Sequence, residues 1–189
     1  MRRGFYERKT LETNVKVELN IDGTGKCDID TPIPFLNHML RTLSVHSLMD
    51  LTVHAKGDLV HHIIEDVAIV LGKALGEALG DRNGIRRFGY MKVPMDDALA
   101  EAVVDLIKRP YAVVNLNLSN SILEGVESNL FTHFIRSLAF SIPATIHVNV
   151  IYGHDDHHKV EASFKALALA LREAWTLTST LTTTKGVYE

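Results

Sequence analysis

His61-His62-Ile63-Ile64-Glu65 and His157-His158-Lys159-Val160-Glu161 are two copies of one pattern, and each opens an apolar-periodic stretch of helical character. On a helix, residues four apart share a face, while adjacent residues diverge by roughly 100°. The two histidines of each copy therefore splay too far apart to chelate one ion easily, and the glutamate lies angularly between them. Such a pair suits two ions, each served by one histidine, with the carboxylate available to either. The pattern points to a dinuclear metal site.

The repeat extends well beyond these five residues. A shift of 96 pairs Ala74, Leu75, Glu77 and Ala78 with Ala170, Leu171, Glu173 and Ala174, and a shift of 95 lays Asn37-His38-Met39-Leu40-Arg41-Thr42-Leu43 over Thr132-His133-Phe134-Ile135-Arg136-Ser137-Leu138. His38 and His133 are thereby nominated as equivalent histidines. His54 and His147 are read as a further equivalent pair, placed by their apolar surroundings in the core or behind the ligands. The expectation is one unit over 1–189, built of approximate halves 1–85 and 86–177, with a threonine-rich tail at 178–189.

Along the chain, Asn14 to Ile21 alternates as a half-buried strand, and Asp22-Gly23 reads as a hairpin turn into a second strand. Helices are expected over Phe35–Leu48, His61–Leu79, Leu130–Ser141 and His157–Trp175. Strands are expected over Leu51–Ala55, Arg87–Val93, Ala98–Leu106, Tyr111–Leu118 and Thr145–Tyr152. Each half is strands, helix, strand, helix. That order gives an α+β fold, with an internal duplication of two sheet-plus-helices halves packed into one body.

A formal net charge of −3 and a pI near 6.4 leave no basic footprint for nucleic acid or anionic lipid, so a small molecule is the better partner. Cys27 is alone, which rules out an intrachain disulfide or a thiolate cluster. The basic start lacks the apolar core of a signal peptide, and no apolar run approaches the ~20 residues of a membrane helix. A soluble cytoplasmic protein is expected.

Six histidines and two glutamates divide as four protein ligands for each of two ions, leaving two open positions in an octahedron. Imidazole and carboxylate without thiolate suit manganese, iron, nickel or zinc, and an open octahedral site leans toward manganese or iron. His133 is preferred over His147 as a ligand, and His154 reads as a loop residue. Lys165 departs from the repeat, since its counterpart is Ile69, and it stands one turn beyond Glu161 on the same helical face. A cation there faces the metals or an anionic substrate. Arg87, Arg109 and Lys185 are further candidates for gripping an anion. No GxxxxGK loop is present, so side chains must hold any phosphate.

Taken together, Leu11-Glu12-Thr13-Asn14, Phe35-Leu36-Asn37-His38-Met39-Leu40 with His46, Gly57-Asp58-Leu59 before the first HHxxED, Arg87-Phe88-Gly89, Pro94-Met95-Asp96, Arg109-Pro110-Tyr111, the second HHxxE running into Phe164-Lys165-Ala166, and Thr184-Lys185-Gly186 resemble the imidazoleglycerol-phosphate dehydratase family over essentially the whole chain. The resemblance implies that His38, His61, His62, Glu65, His133, His157, His158 and Glu161 ligate two Mn2+ ions per subunit. It makes Glu12 the catalytic carboxylate, sets His46, Asp96 and Thr183 against substrate, and gives the phosphate to Arg87, Arg109, Lys165 and Lys185. It further implies a large homo-oligomer, a 24-mer arranged as an octahedral shell. The sequence departs from the family pattern at Asn37, where aspartate is usual, at Asp97, where glutamate is usual, in a shortened loop before His61, and in the threonines of the tail.

The activity so implied is dehydration of imidazoleglycerol phosphate to imidazole acetol phosphate in histidine biosynthesis. No carbonyl acidifies the proton that is lost. An imidazolate held by two metal ions could instead push electrons outward, expel the adjacent hydroxyl and acidify the neighbouring C–H for Glu12. The competing readings are a dinuclear metal hydrolase using the same ligands to activate water, and a metal-storage assembly in which Glu12 and Lys165 would be idle.

Overall fold

The alternation of Val15, Val17 and Leu19 with polar neighbours makes β2 (Thr13–Asn20), whose apolar side chains are wholly buried or nearly so. In the computed structural model, which describes residues 1–178, this strand pairs antiparallel with β1 (Arg3–Lys9) on one edge and with β4 (Asp50–Gly57) on the other. β3 (Cys27–Asp30) runs parallel to β4, so the first sheet has the order β1-β2-β4-β3. The hairpin expected at Asp22-Gly23 is therefore absent. The hairpin partner of β2 precedes it, because β1 occupies the free edge of β2 and leaves β3 only the far side of β4.

The second half repeats this plan. β5 (Phe88–Met95), β6 (Ala98–Asp105), β7 (Tyr111–Asn115) and β10 (Thr145–Tyr152) form a sheet of order β5-β6-β10-β7, with β7 parallel to β10 and the other pairs antiparallel. Its one added element is the short hairpin of β8 (Ile122–Leu123) and β9 (Val126–Glu127), closed by Glu124 and Gly125, both at positive φ as a two-residue hairpin turn requires. The hairpin lies in the connection that leads to the third helix, which is longer than its counterpart in the first half.

Four helices lie between the sheets: α1 (Pro34–Ser47), α2 (Val60–Leu79), α3 (Asn129–Ser141) and α4 (Asp156–Ala174). α2 covers the first sheet and α4 the second, while α1 packs on α4 and α3 on α2, which crosses the halves over. Pro34 starts α1 where its missing N–H costs nothing, and Leu48 ends it in the left-handed conformation. Asp155 caps α4 by accepting the amide of His157. The duplication is visible in the closest approaches: a Cβ on Gly4 would lie 1.8 Å from Ala74 O, and one on Gly89 would lie 1.9 Å from Ala170 O. Arg82, buried just after α2, donates from Nη1 to Pro143 O at 2.7 Å and from Nη2 to Ile142 O, fastening the end of the first half to the C-terminus of α3.

The strand registers correct one sequence expectation. Leu51 matches Ile146, so His54 corresponds to Asn149 and His147 to Thr52. Both histidines point from the outer sheet faces, away from the helices, and His54 meets Asp28 at 3.2 Å. Neither is a core residue. Among the described residues no helix is long and apolar enough to cross a membrane.

Candidate metal centres

The HHxxE glutamates sit one turn after their first histidine, and each such pair is joined by a histidine from the other half. His61 and Glu65 of α2 meet His133 of α3, and His157 and Glu161 of α4 meet His38 of α1; within each triad the ligating atoms lie within 4.8 Å of one another. His133 Nε2 is 3.1 Å from Glu65 Oε1, and His38 Nε2 is 3.2 Å from Glu161 Oε2, with His157 Nε2 at 3.4 Å from the same oxygen. The helix crossover makes both triads, since α1 on α4 and α3 on α2 each bring the lone histidine to a HHxxE face. Two imidazoles and a carboxylate in such reach form a donor set for a divalent cation of the manganese, iron or zinc type.

The triads differ in their surroundings. Glu161 has a side chain only 10 % exposed, and Lys165 Nζ approaches its Oε1 to 2.9 Å, while Glu65 is 38 % exposed and has Ile69 at the matching place. Burial acts to raise the pKa of Glu161, but hydrogen bonds from Lys165 and His38 and their charges outweigh it, and the net shift is downward. Lys165 also donates to Met95 Sδ at 3.0 Å. His46 is pushed down, first by burial and then by the Lys165 charge, with Glu161 opposing, so its imidazole stays neutral at pH 7. Phe35 lies between the rings of His157 and Phe131, at 4.9 and 5.0 Å.

His62 and His158 stand outside both triads. Their rings diverge from His61 and His157 by 82° and 78°. His62 meets carboxylates from the β4–α2 link and the β1–β2 turn, and His158 meets two from the β5–β6 turn. His62 Nδ1 is 2.8 Å from Asp58 Oδ1 and 3.9 Å from Glu12 Oε2, while His158 Nδ1 is 2.6 Å from Asp97 Oδ1 and its Nε2 is 3.4 Å from Asp96 Oδ2. The hydrogen bond to Asp58 raises the pKa of His62, and that to Asp97 raises the pKa of His158. Asp97 also accepts the amides of His154 and Asp155, and together these bonds hold its own carboxyl far below the usual range.

Among the described residues, those expected to grip an anion, Arg87, Arg109 and Lys165, do not gather in one place within the chain. Lys165 touches Met95 at the turn between β5 and β6, whereas Arg87 precedes β5 and Arg109 follows β6, at the other end of strands about 25 Å long. Arg87 holds Asp105 in a two-pronged pair, at 2.7 Å from Nε and 2.9 Å from Nη2. Thr183 and Lys185 lie outside the described residues. One carboxylate was missed by sequence reasoning: Glu124, at the tip of the added hairpin, whose Oε1 is 3.0 Å from His157 Nδ1. Its only sequence signal is the Glu124-Gly125 turn.

The sequence pattern of imidazoleglycerol-phosphate dehydratase matches residues 31–171. The chain belongs to the imidazoleglycerol-phosphate dehydratase family. It is thereby a hydro-lyase. The protein of that name from Methanothermobacter thermautotrophicus is 51% identical over 177 residues, spanning 92% of this chain and 91% of that protein, and the one from Clostridioides difficile is 44% identical over 99% of this chain and 100% of that protein. The dehydratase structure from Pyrococcus furiosus superposes with a TM-score of 0.86 at 40% identity, covering 96% of this chain and 99% of that one. The structure from Staphylococcus aureus gives 0.84 at 36% identity, covering 92% and 99%.

Proposed function

We propose that this chain removes water from imidazoleglycerol phosphate to give imidazole acetol phosphate, a step of histidine biosynthesis carried out in the cytoplasm, with the two triads each holding a divalent ion, preferably manganese. The observation that carries the reading is the pair of His/His/Glu triads, each assembled from both halves of a chain of the dehydratase family. The hydroxyl beside the ring departs, the neighbouring carbon gives up a proton, and the resulting enol becomes the ketone. The chemistry supplied by divalent ions at the triads is stabilisation of the substrate ring as its anion, which lets ring electrons expel the hydroxyl.

The remaining work falls to side chains. Glu12, 60 % exposed at the tip of the β1–β2 turn, is the proton acceptor. Lys165 presents its ammonium beside Glu161 to the substrate phosphate, and neutral His46 and Asp96 line the same region. Arg87 and Arg109 complete the phosphate grip, with Thr183 and Lys185 of the tail. Their separation from Lys165 along the β5–β6 hairpin favours a grip made between copies of the chain. His62 and His158, turned out of the triads, then act as the further ligands of neighbouring copies. A large homo-oligomer, a 24-mer after the resembling family, follows from shared sites.

Two measurements test the reading. Manganese-loaded protein incubated with imidazoleglycerol phosphate should produce ketone absorbance without free phosphate, and release of phosphate from generic phosphoesters instead would favour the hydrolase. Light scattering during size-exclusion chromatography, with and without chelator, should show a large particle that dissociates when metal is removed. An active monomer would refute shared sites.

A further inference from the structure

The halves repeat their packing closely enough to be compared residue by residue. Gly4 and Gly89 make matching approaches to α2 and α4, and from them the hairpin registers run in step, so Thr13 matches Ala98 and Glu12 matches Asp97. On the helices Glu65 matches Glu161, and the next residues, Asp66 and Ala162, match as well. The buried pair Thr13 and Asp66 of the first half is thus Ala98 and Ala162 in the second. The change is concerted, since Arg8 becomes Val93 and Thr10 becomes Met95 at the same turn.

Two methyl groups suffice to pack this junction of strand and helix in the second half. In the first half the same junction buries Asp66, whose side chain is 10 % exposed and whose bonding partners among the described residues are the Thr13 hydroxyl and a half-exposed Arg8 at 3.4 Å. Burying a charge costs several kcal/mol before pairing, so the polar version is retained against a cheaper apolar one that the fold already uses. The fold does not require it. At the matching place the second turn carries Asp97, whose carboxylate is taken up by His158 and the amides of His154 and Asp155, whereas Glu12 of the first turn is 60 % exposed.

The bonds lead there. Thr13 Oγ1 donates to Asp66 Oδ2, and Thr10 Oγ1 stands 3.3 Å from Thr13 Oγ1. The same Thr10 oxygen accepts the amides of Glu12 at 3.1 Å and Thr13 at 3.0 Å. On its other side the Glu12 carbonyl accepts the Asp58 amide at 3.0 Å, and Asp58 in turn holds His62. Hydroxyls lined up toward a buried carboxylate polarise in one direction, which stiffens the chain of bonds. Asp66 directly follows Glu65 on α2, so the relay ties the Glu12 turn to the helix that presents His61, His62 and Glu65.

We propose that Asp66 and Thr13, through Thr10, are positioning residues that fix the Glu12 turn against the metal-ligating helix. The proposal rests on Glu12 being the proton acceptor. Its test is the double variant Thr13→Ala/Asp66→Ala, which gives the first half the pair already used by the second. Holo-protein should keep its metal content and melting temperature, and KM should change less than about twofold. kcat should fall roughly 10- to 100-fold, as a misplacement of the order of 1 Å costs, and amide exchange at Glu12 and Thr13 should quicken. Asp66→Asn, which keeps the shape, should show the same pattern more weakly. Full kcat with unchanged exchange would overturn the proposal, as would parallel loss of fold, metal and kcat in both variants. Glu12→Gln keeps the two readings apart. If it stays active the proton-acceptor reading fails, and if it is inactive while the double variant runs at full rate only the positioning proposal fails.

Discussion

Replacing Arg82 by methionine should loosen the tie between the halves without touching the site. The residue is 3 % exposed, its guanidinium bonds the carbonyls of Ile142 and Pro143, and its Nε has no hydrogen-bond partner among the described residues. Those carbonyls close the C-terminus of α3, the negative end of its dipole. Two charge-assisted bonds contribute ~3–6 kcal/mol gross. Burial pushes the pKa down from 12.5 to about 10, which at 1.36 kcal/mol per unit gives back about 3 kcal/mol. The arginine alone is therefore worth little, but methionine leaves the buried Ile142 carbonyl unsatisfied at ~1–3 kcal/mol and the part-buried Pro143 carbonyl at or above the lower end of that range. The expected loss is about 3 kcal/mol, or roughly 6–12 °C in melting temperature for a chain of this size. Urea and thermal unfolding at fixed protein concentration and fixed metal would measure it. Turnover below the melting temperature should be unchanged. A loss under about 1 kcal/mol would refute the reasoning, because the carbonyls would then be satisfied without Arg82.

Exhaustive chelation should abolish turnover and manganese should restore it, and metal analysis should show His61→Ala and His157→Ala losing metal while His154→Ala retains it. Full activity without metal would rule out the triads as the working centres. Lys165→Met should raise KM about tenfold or more with metal content intact, since one charge-assisted contact to phosphate is worth ~1.5–3 kcal/mol; an unchanged KM would make the lysine a partner of Glu161 alone. Stability should also fall in acid. Hydrogen bonds from Arg2 hold Asp22 below its usual pKa, and the Thr24 amide is the main cause for Asp50. A carboxylate with a lowered folded pKa stabilises above its unfolded value near 4 and loses that contribution as pH drops through the folded one. Urea midpoints should therefore decline below about pH 4, and less steeply in Asp50→Asn.

The four helices and most strands were legible because their apolar periods are strong and their burial follows from them. Where the pattern was weak the reading went astray. Of β1 only Gly4 is buried, so its sequence carries no alternation, and without β1 the Asp22-Gly23 turn reads as a hairpin. The two-residue strands of the Glu124 hairpin are too short for any period. The histidines of the triads were readable from the repeat, since a helix fixes which residues share a face. That His62 and His158 would turn to Asp58 and Asp97 was not, because those contacts depend on where the β4–α2 link and the β5–β6 turn lie in space.

Each triad takes two side chains from one half and one from the other, and His38 and His133 occupy matching places. Exchanging the halves therefore carries one centre onto the other. A chain of half this length, pairing with itself about a twofold axis, would already present both triads in full, each with a histidine and glutamate from one copy and a histidine from its mate. Joining two such copies end to end adds no ligand to either centre. What fusion adds is freedom for the copies to diverge, so that one turn could keep a glutamate over a buried aspartate while one helix acquired a lysine.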